Sequence, residues 1–154
     1  MRKKALIANL AIPLAVGGAA AWLTRSGMED YASVLKPPGS PPAVVFPVVW
    51  TGLYTLMGIS AYRLWIQEPS ETRRASLNFY AVSLALNFLW PVVFFCTGAY
   101  LPAFLLLLAL LGTVLAWDVT LSRLDRTAAR LQIPYILWLA YAAYLNLGVW
   151  LLNR

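Results

Sequence analysis

Charged residues fall in clusters and leave four long stretches without a single charge: between Lys4 and Arg25, Lys36 and Arg63, Arg74 and Asp118, and Arg130 and Arg154. A helix needs about 20 apolar residues to cross a bilayer core of about 30 Å, so three of these stretches hold one span each. The stretch from Ala75 to Trp117 is too long for one span and breaks at "TGAYLP", where Gly98 and Pro102 supply a turn. The pattern predicts five helices, over about residues 5–24, 44–65, 75–96, 101–122 and 131–152. A β-barrel does not fit, because its strands alternate apolar and polar residues over segments of about ten. The expectation is an all-α membrane protein: a single five-transmembrane-helix bundle over residues 1–154, with a loop over about 25–43 between the first two helices.

Composition agrees with that pattern. Hydrophobic residues make up 61% of the chain and charged residues 12%, where soluble domains carry roughly a quarter charged. The opening "MRKKALIANLAIPLAVGGAAAW" also has the form of a signal peptide, with a basic start, an apolar middle and Ala19-Ala20-Ala21 as a cleavage-like site; a retained first helix is the expectation. Basic residues set the orientation. Arg2, Lys3, Lys4, Arg63, Arg73, Arg74, Arg123, Arg126 and Arg130 fall on one side, while Arg25, Lys36 and Arg154 fall on the other, which predicts a cytoplasmic N-terminus and an external C-terminus. The net charge of +6 is then a topology signal, and no basic stripe interleaved with exposed aromatics suggests nucleic acid as a partner.

With Cys96 as the only cysteine and no histidine, a disulfide framework, a Cys/His zinc site, a His-ligated haem and a Ser-His-Asp or Cys-His nucleophile are all excluded. The informative residues are those that break the apolar runs, because polar side chains in hydrocarbon need a partner or a cavity. Asn87 and Trp90 share one helical face, as do Asn146 and Trp150. In the second span Phe46, Trp50 and Tyr54 recur at i, i+4 and i+8, with Gly58 and Tyr62 continuing the row; in the fifth, Tyr135, Trp138, Ala142 and Asn146 form another row. Two such faces can wall a slot for a planar apolar ligand. They can equally be packing or interface anchors, and both readings stay open at this point. Trp22, Trp65 and Trp117, near span ends, are expected to be anchors; Trp50, Trp90 and Trp138 are the pocket candidates. Asp118 reads as a carboxylate at the membrane interface and Arg63 as a helix-end side chain that snorkels to water. "GGAAA" at 17–21 and the Ala81-x-x-x-Ala85 spacing mark close helix contacts, inside one bundle or between two copies.

Three segments, "KPPGSPPAVVFPVVWTGLYTLMGISAY", "ALNFLWPVVFF" and "PYILWLAYAAYLN", resemble in order and spacing the TspO/MBR family of bacterial and mitochondrial translocator proteins, and the similarity spans nearly the whole chain. The resemblance implies a five-helix bundle, often a homodimer, in which the loop between the first two helices lids a pocket. Porphyrins and synthetic isoquinoline carboxamide or benzodiazepine ligands enter that pocket, and mammalian members also bind cholesterol. It further implies that Tyr31, Lys36, Pro41 and Pro42 belong to the lid, that Trp50, Leu53 and Tyr54 form the second-helix wall, that Asn87, Trp90 and Phe94 come from the third helix, and that Pro134, Tyr135, Trp138, Ala142 and Asn146 come from the fifth. Prolines fix φ and deny helix continuation, so Pro37, Pro38, Pro41 and Pro42 can shape such a lid without a hydrogen-bond ladder. The family usually reads K-P-x-W-x-P-P here, whereas this chain has Gly39 at the tryptophan position and loses a large contact surface there. The sterol motif is weak: after Tyr144 the first basic residue is Arg154, and only a reversed match, Arg130, Tyr135 and Leu137, is present.

Three functions compete. The first is a receptor or carrier for tetrapyrroles, needing no cofactor, in which the macrocycle stacks on Trp50 and Trp138 and its carboxylates meet Lys36 at the rim. The second is light- and oxygen-dependent porphyrin breakdown using Trp50 and Trp138, a chemistry of the photoexcited ligand and not of acid-base residues. The third is a porphyrin, lipid or sterol transporter, disfavoured by the odd helix number, the lack of a visible inverted repeat and the lack of a buried acid pair.

Overall fold

The computed structural model describes residues 2–154; Arg2 enters the count of basic residues from the sequence, and its side chain lies outside the description. The predicted all-α architecture is observed. Five helices are long and apolar enough to span a membrane. They are α1 (Arg2–Tyr31), α2 (Val45–Trp65), α3 (Glu71–Pro91, continued by a π-helical turn Val92–Cys96), α4 (Tyr100–Ser122) and, after a short α5 (Arg126–Arg130), α6 (Ile133–Leu152). The α3–α4 turn lies where the apolar run was expected to break, with Gly98 in the left-handed region at φ 63°.

The core is built around α4. Ala103, Leu107, Leu110, Val114, Trp117 and Leu121 recur at alternating steps of four and three and are all fully buried, the spacing that keeps one seam facing a partner helix. On α6, Tyr135, Leu139, Ala142, Asn146 and Val149 repeat the same steps on its buried face. Trp117 is thus a seam residue against Tyr80, with ring centroids 5.1 Å apart, and not the interface anchor expected from its distance to the helix end. Trp65 is exposed at the end of α2, as expected of an anchor, whereas Trp22 is exposed but lies nine residues before the end of α1.

The side of α1 facing α2 is shaped by Pro13 and Gly58. Pro13 lies inside α1 and has no N–H to offer the Asn9 carbonyl one turn earlier. Gly58 packs against that carbonyl and the Leu10 Cα, each of which would lie 2.8 Å from a Cβ at position 58. α1 also runs past its predicted end near residue 24 to Tyr31, because Arg25, Glu29 and Asp30 are compatible with helix and the next proline after Pro13 comes only at 37. The connecting loop is therefore residues 32–44, with Tyr31 at the helix end that abuts it.

At the opposite end Arg63 is held and does not snorkel. Its Nε and Nη2 donate to the two oxygens of Asp125 at 2.8 and 3.0 Å, and Asp125 also caps α5 by accepting from the Ala128 N–H at 3.0 Å. Burial alone would raise the Asp125 carboxyl, but the Arg63 hydrogen bond, the Ala128 N–H and the guanidinium charge outweigh it and hold the group below the ordinary carboxylate range.

Candidate functional site

The second-helix row meets α1 and α3 around a cavity of about 170 Å³. Phe46, Trp50 and Tyr54 form one wall, Asn87, Trp90 and Phe95 another, and the small face of α1, with Gly17, Ala20 and Thr24, the third. A Cβ on Gly17 would collide with the Tyr54 ring, so glycine there lets that ring seat against α1. A second, much smaller space of about 20 Å³ lies beyond Phe46 and Trp90, bounded by Tyr31, Phe94, Ala142 and Asn146. Phe46, Trp90 and Phe95 border both.

The aromatic walls form a continuous set. Trp50 lies 5.4 Å from Tyr54 and 6.3 Å from both Trp90 and Tyr135, and Trp90 continues to Phe94 at 5.6 Å. Tyr31 meets Phe94 and Phe95 edge-on, each at 5.4 Å. Asn87, Trp90, Tyr135 and Asn146 pair their polar groups with one another or with backbone. Trp90 Nε1 donates to Asn146 Oδ1 at 3.0 Å, Asn146 Nδ2 donates to the Tyr100 carbonyl at 2.8 Å, and the Tyr135 hydroxyl donates to Asn87 Oδ1 at 2.9 Å. These bonds tie α6 to α3 and to the start of α4, beside the Trp50, Tyr54 and Trp90 rings that line the cavity. Among the described residues no group of acidic or cysteine side chains could hold a metal.

The structure brings Phe46, Trp50, Tyr54, Asn87 and Trp90 together on the larger cavity, and Tyr31, Phe94, Ala142 and Asn146 on the smaller. Leu53 and Tyr135 are core residues beside these walls, and Pro134 is exposed at the start of α6. Trp138 stands behind Phe46, ring centroids 6.0 Å apart, with its Nε1 buried and without a hydrogen-bond partner. Lys36 folds back over the end of α1, where its ammonium donates to the Ala32 and Val34 carbonyls and lies 4.7 Å from the Tyr31 ring. The α1 wall was not singled out from sequence as part of a pocket; its only signal was the small-residue run at 17–21, which reads as helix contact.

The loop runs antiparallel along α6. Asn153 brackets Leu35, accepting from its N–H at 3.1 Å and donating to its carbonyl at 2.9 Å. Next, the Pro37 ring occupies the space above Gly148, where a Cβ would collide with it. The Tyr144 hydroxyl donates to the Pro38 carbonyl at 2.8 Å and the Tyr141 hydroxyl to that of Gly39. Pro37 is the buried proline of the loop, while Pro41 is half-buried and Pro42 exposed. Prolines thus give the loop its path, and α6 side chains bond its carbonyls.

Residues 9–151 match the model of the TspO/MBR family. The chain belongs to that family. Among the relatives in this family, the translocator protein of Ovis aries is 36% identical over 135 residues, covering 86% of this chain and 80% of its own length. The translocator protein of Homo sapiens is 37% identical over 126 residues, covering 80% and 75%. The tryptophan-rich protein TspO of Archaeoglobus fulgidus is 34% identical over 149 residues, covering 96% of each. Both the multi-pass membrane architecture and the resemblance drawn from the three motif segments agree with this membership.

Proposed function

We propose that this protein is a membrane receptor or carrier that binds porphyrins and related planar hydrophobic ligands inside the bundle, against Trp50 and Trp90 and beneath the proline-rich loop. The observation that carries the reading is the cavity between α1, α2 and α3, whose α2 and α3 walls are largely aromatic and whose Asn87 and Trp90 polar groups are already paired. At about 170 Å³ it is smaller than the roughly 300–1,000 Å³ of most small-molecule sites, so a macrocycle enters only if a wall moves. α1 is the least buried of the spans, and its small-residue wall is the one proposed to move. Lys36, at the loop end, supplies a cation for the ligand's carboxylates. Isoquinoline carboxamide and benzodiazepine ligands suit the same walls. The sterol reading has the weaker support, since Tyr144 bonds the loop and has no basic residue near it in sequence, which leaves only the reversed match of Arg130, Tyr135 and Leu137. Ala81 and Ala85 lie exposed on the outer face of α3, which supports reading them as contact with a second copy in a homodimer.

Quenching of tryptophan fluorescence by protoporphyrin IX, with the protein in nanodiscs and darkness, tests the reading. Saturable binding weakened by Trp50→Phe is expected, and linear, unsaturable quenching would overturn it. A second reading, light- and oxygen-dependent breakdown of the bound porphyrin, is favoured by the wall position of Trp50 and by the unpartnered Nε1 of Trp138 nearby. Illumination of the same samples separates the two: bleaching to a new product that depends on Trp50 and Trp138 belongs to the second, and an unchanged spectrum to the first. The proposed orientation, cytoplasmic N-terminus and external C-terminus, predicts that a C-terminal reporter active only in the cytoplasm stays silent. A bright one would invert it.

A further inference from the structure

The arginines that follow α1 at the Arg63 end divide into two groups. Arg63 is bound to Asp125, Arg74 pairs with Glu71, and Arg73 caps the end of α2 through the Leu64 and Trp65 carbonyls. Arg123, Arg126 and Arg130 are different: among the described residues, none of their guanidinium groups has a hydrogen-bond or ion-pair partner, and all three are exposed. They converge with Ser122 on an open groove of about 430 Å³ between the end of α4, α5 and the start of α6. A topology signal requires only that basic residues lie on this side of the membrane. It does not require three unengaged ones to share a groove.

The groove continues into an apolar surface. Ile133 lines it, and Leu137, one turn further along α6, is 65% exposed. On α4, Leu115 lies on the same face as Asp118 and Ser122, toward the membrane interior, and is 45% exposed. Asp118, the one acid in the groove, is a turn deeper than Ser122, so the cationic rim lies at the water side and the carboxylate sets an inner limit for an anion. Cations at the rim above an exposed apolar track match an amphiphile with an anionic head and an acyl tail. Guanidinium groups suit phosphate oxygens in particular, through paired N–H donors.

We propose that this groove is a binding site for the phosphodiester headgroup of an anionic phospholipid, held by Arg123, Arg126 and Arg130 with one acyl chain along Leu115, Ile133 and Leu137. The site is separate from the aromatic cavity and independent of what that cavity binds.

The test uses the full chain in mixed phosphatidylglycerol and phosphatidylcholine nanodiscs, with the lipids retained on release measured by native mass spectrometry. Wild type should keep phosphatidylglycerol in preference to phosphatidylcholine. Arg123→Gln with Arg126→Gln and Arg130→Gln should lower that preference by roughly five-fold per guanidinium, while Lys3→Gln with Lys4→Gln and Arg74→Gln, which removes the same charge elsewhere on that side, should change it less than about two-fold. An equal loss in both variants would show diffuse surface attraction and overturn the site, as would a wild type without preference. Displacement of the lipid by inorganic phosphate at comparable concentration would reassign the groove to a soluble anion and overturn the lipid assignment. Should the triple variant not fold, Arg126→Gln alone, in the short α5, is read in the same way.

Discussion

Asn146 shows how a polar residue at membrane depth can be structural and still define a site. Its amide accepts from Trp90 and donates to Tyr100, so it orients the indole that separates the two cavities. Asn146→Leu should leave the buried Trp90 N–H without its partner, costing about 1–3 kcal/mol, and should weaken porphyrin quenching as Trp90 loosens; thermal unfolding in detergent and the quenching titration check both effects. Asp125 allows a pH prediction. Its folded pKa is below the unfolded value of about 3.9, so the Arg63 pair contributes fully above that value and is lost as pH falls through the folded pKa. The melting temperature of wild type should therefore decline as pH drops below about 4, whereas Asp125→Asn should start lower at neutral pH and decline less. A parallel decline in the two proteins would remove the ion pair as its cause. At this scale the sequence was an uneven guide. Asn87, Trp90 and Asn146 were legible as residues that need partners, but Arg63 and Trp117 were misjudged because distance to a helix end does not reveal which face a side chain occupies.

Among the helices, α1 is the one whose role was least visible. Its length was underestimated because charge was taken as a stop signal, and charged residues in a helix beyond the bilayer core cost nothing. Its small residues carry no chemical signature, so their place on a cavity wall emerges only once Tyr54 is seen seated against Gly17. By contrast, the five spans and the Gly98 turn were legible, since hydrocarbon tolerates few alternatives to a helix of fixed minimum length. The crossing of α1 and α2 depends on Gly58, where added atoms meet backbone and not a movable side chain. Gly58→Val should force the two helices apart, destabilise the protein by about 1–3 kcal/mol, and change accessibility on the α1 side of the cavity. Labelling of an introduced cysteine at Ala21 reports the latter, and an unchanged rate together with an unchanged melting temperature would argue against this crossing.

For the whole molecule, the two ends of the bundle do different work: one gathers the loop and the aromatic walls, the other the ion pair, the short α5 and the arginine groove. At the first end Gly39 stands where the resemblance implies a tryptophan. A Cβ there would meet nothing within 4 Å, so space is available, but φ is +82°, a conformation that L side chains rarely adopt. Gly39→Trp should therefore strain the loop by about 1–2 kcal/mol and raise its proteolysis rate, while Gly39→Asn should be tolerated; a tryptophan variant as protected as wild type would disprove the strain. Residue 39 and the route of the backbone through it are thus a matched pair, and ligand preference is not a modular property of one loop position. Comparisons between relatives require exchange of the loop as a unit, together with the α6 tyrosines that receive it.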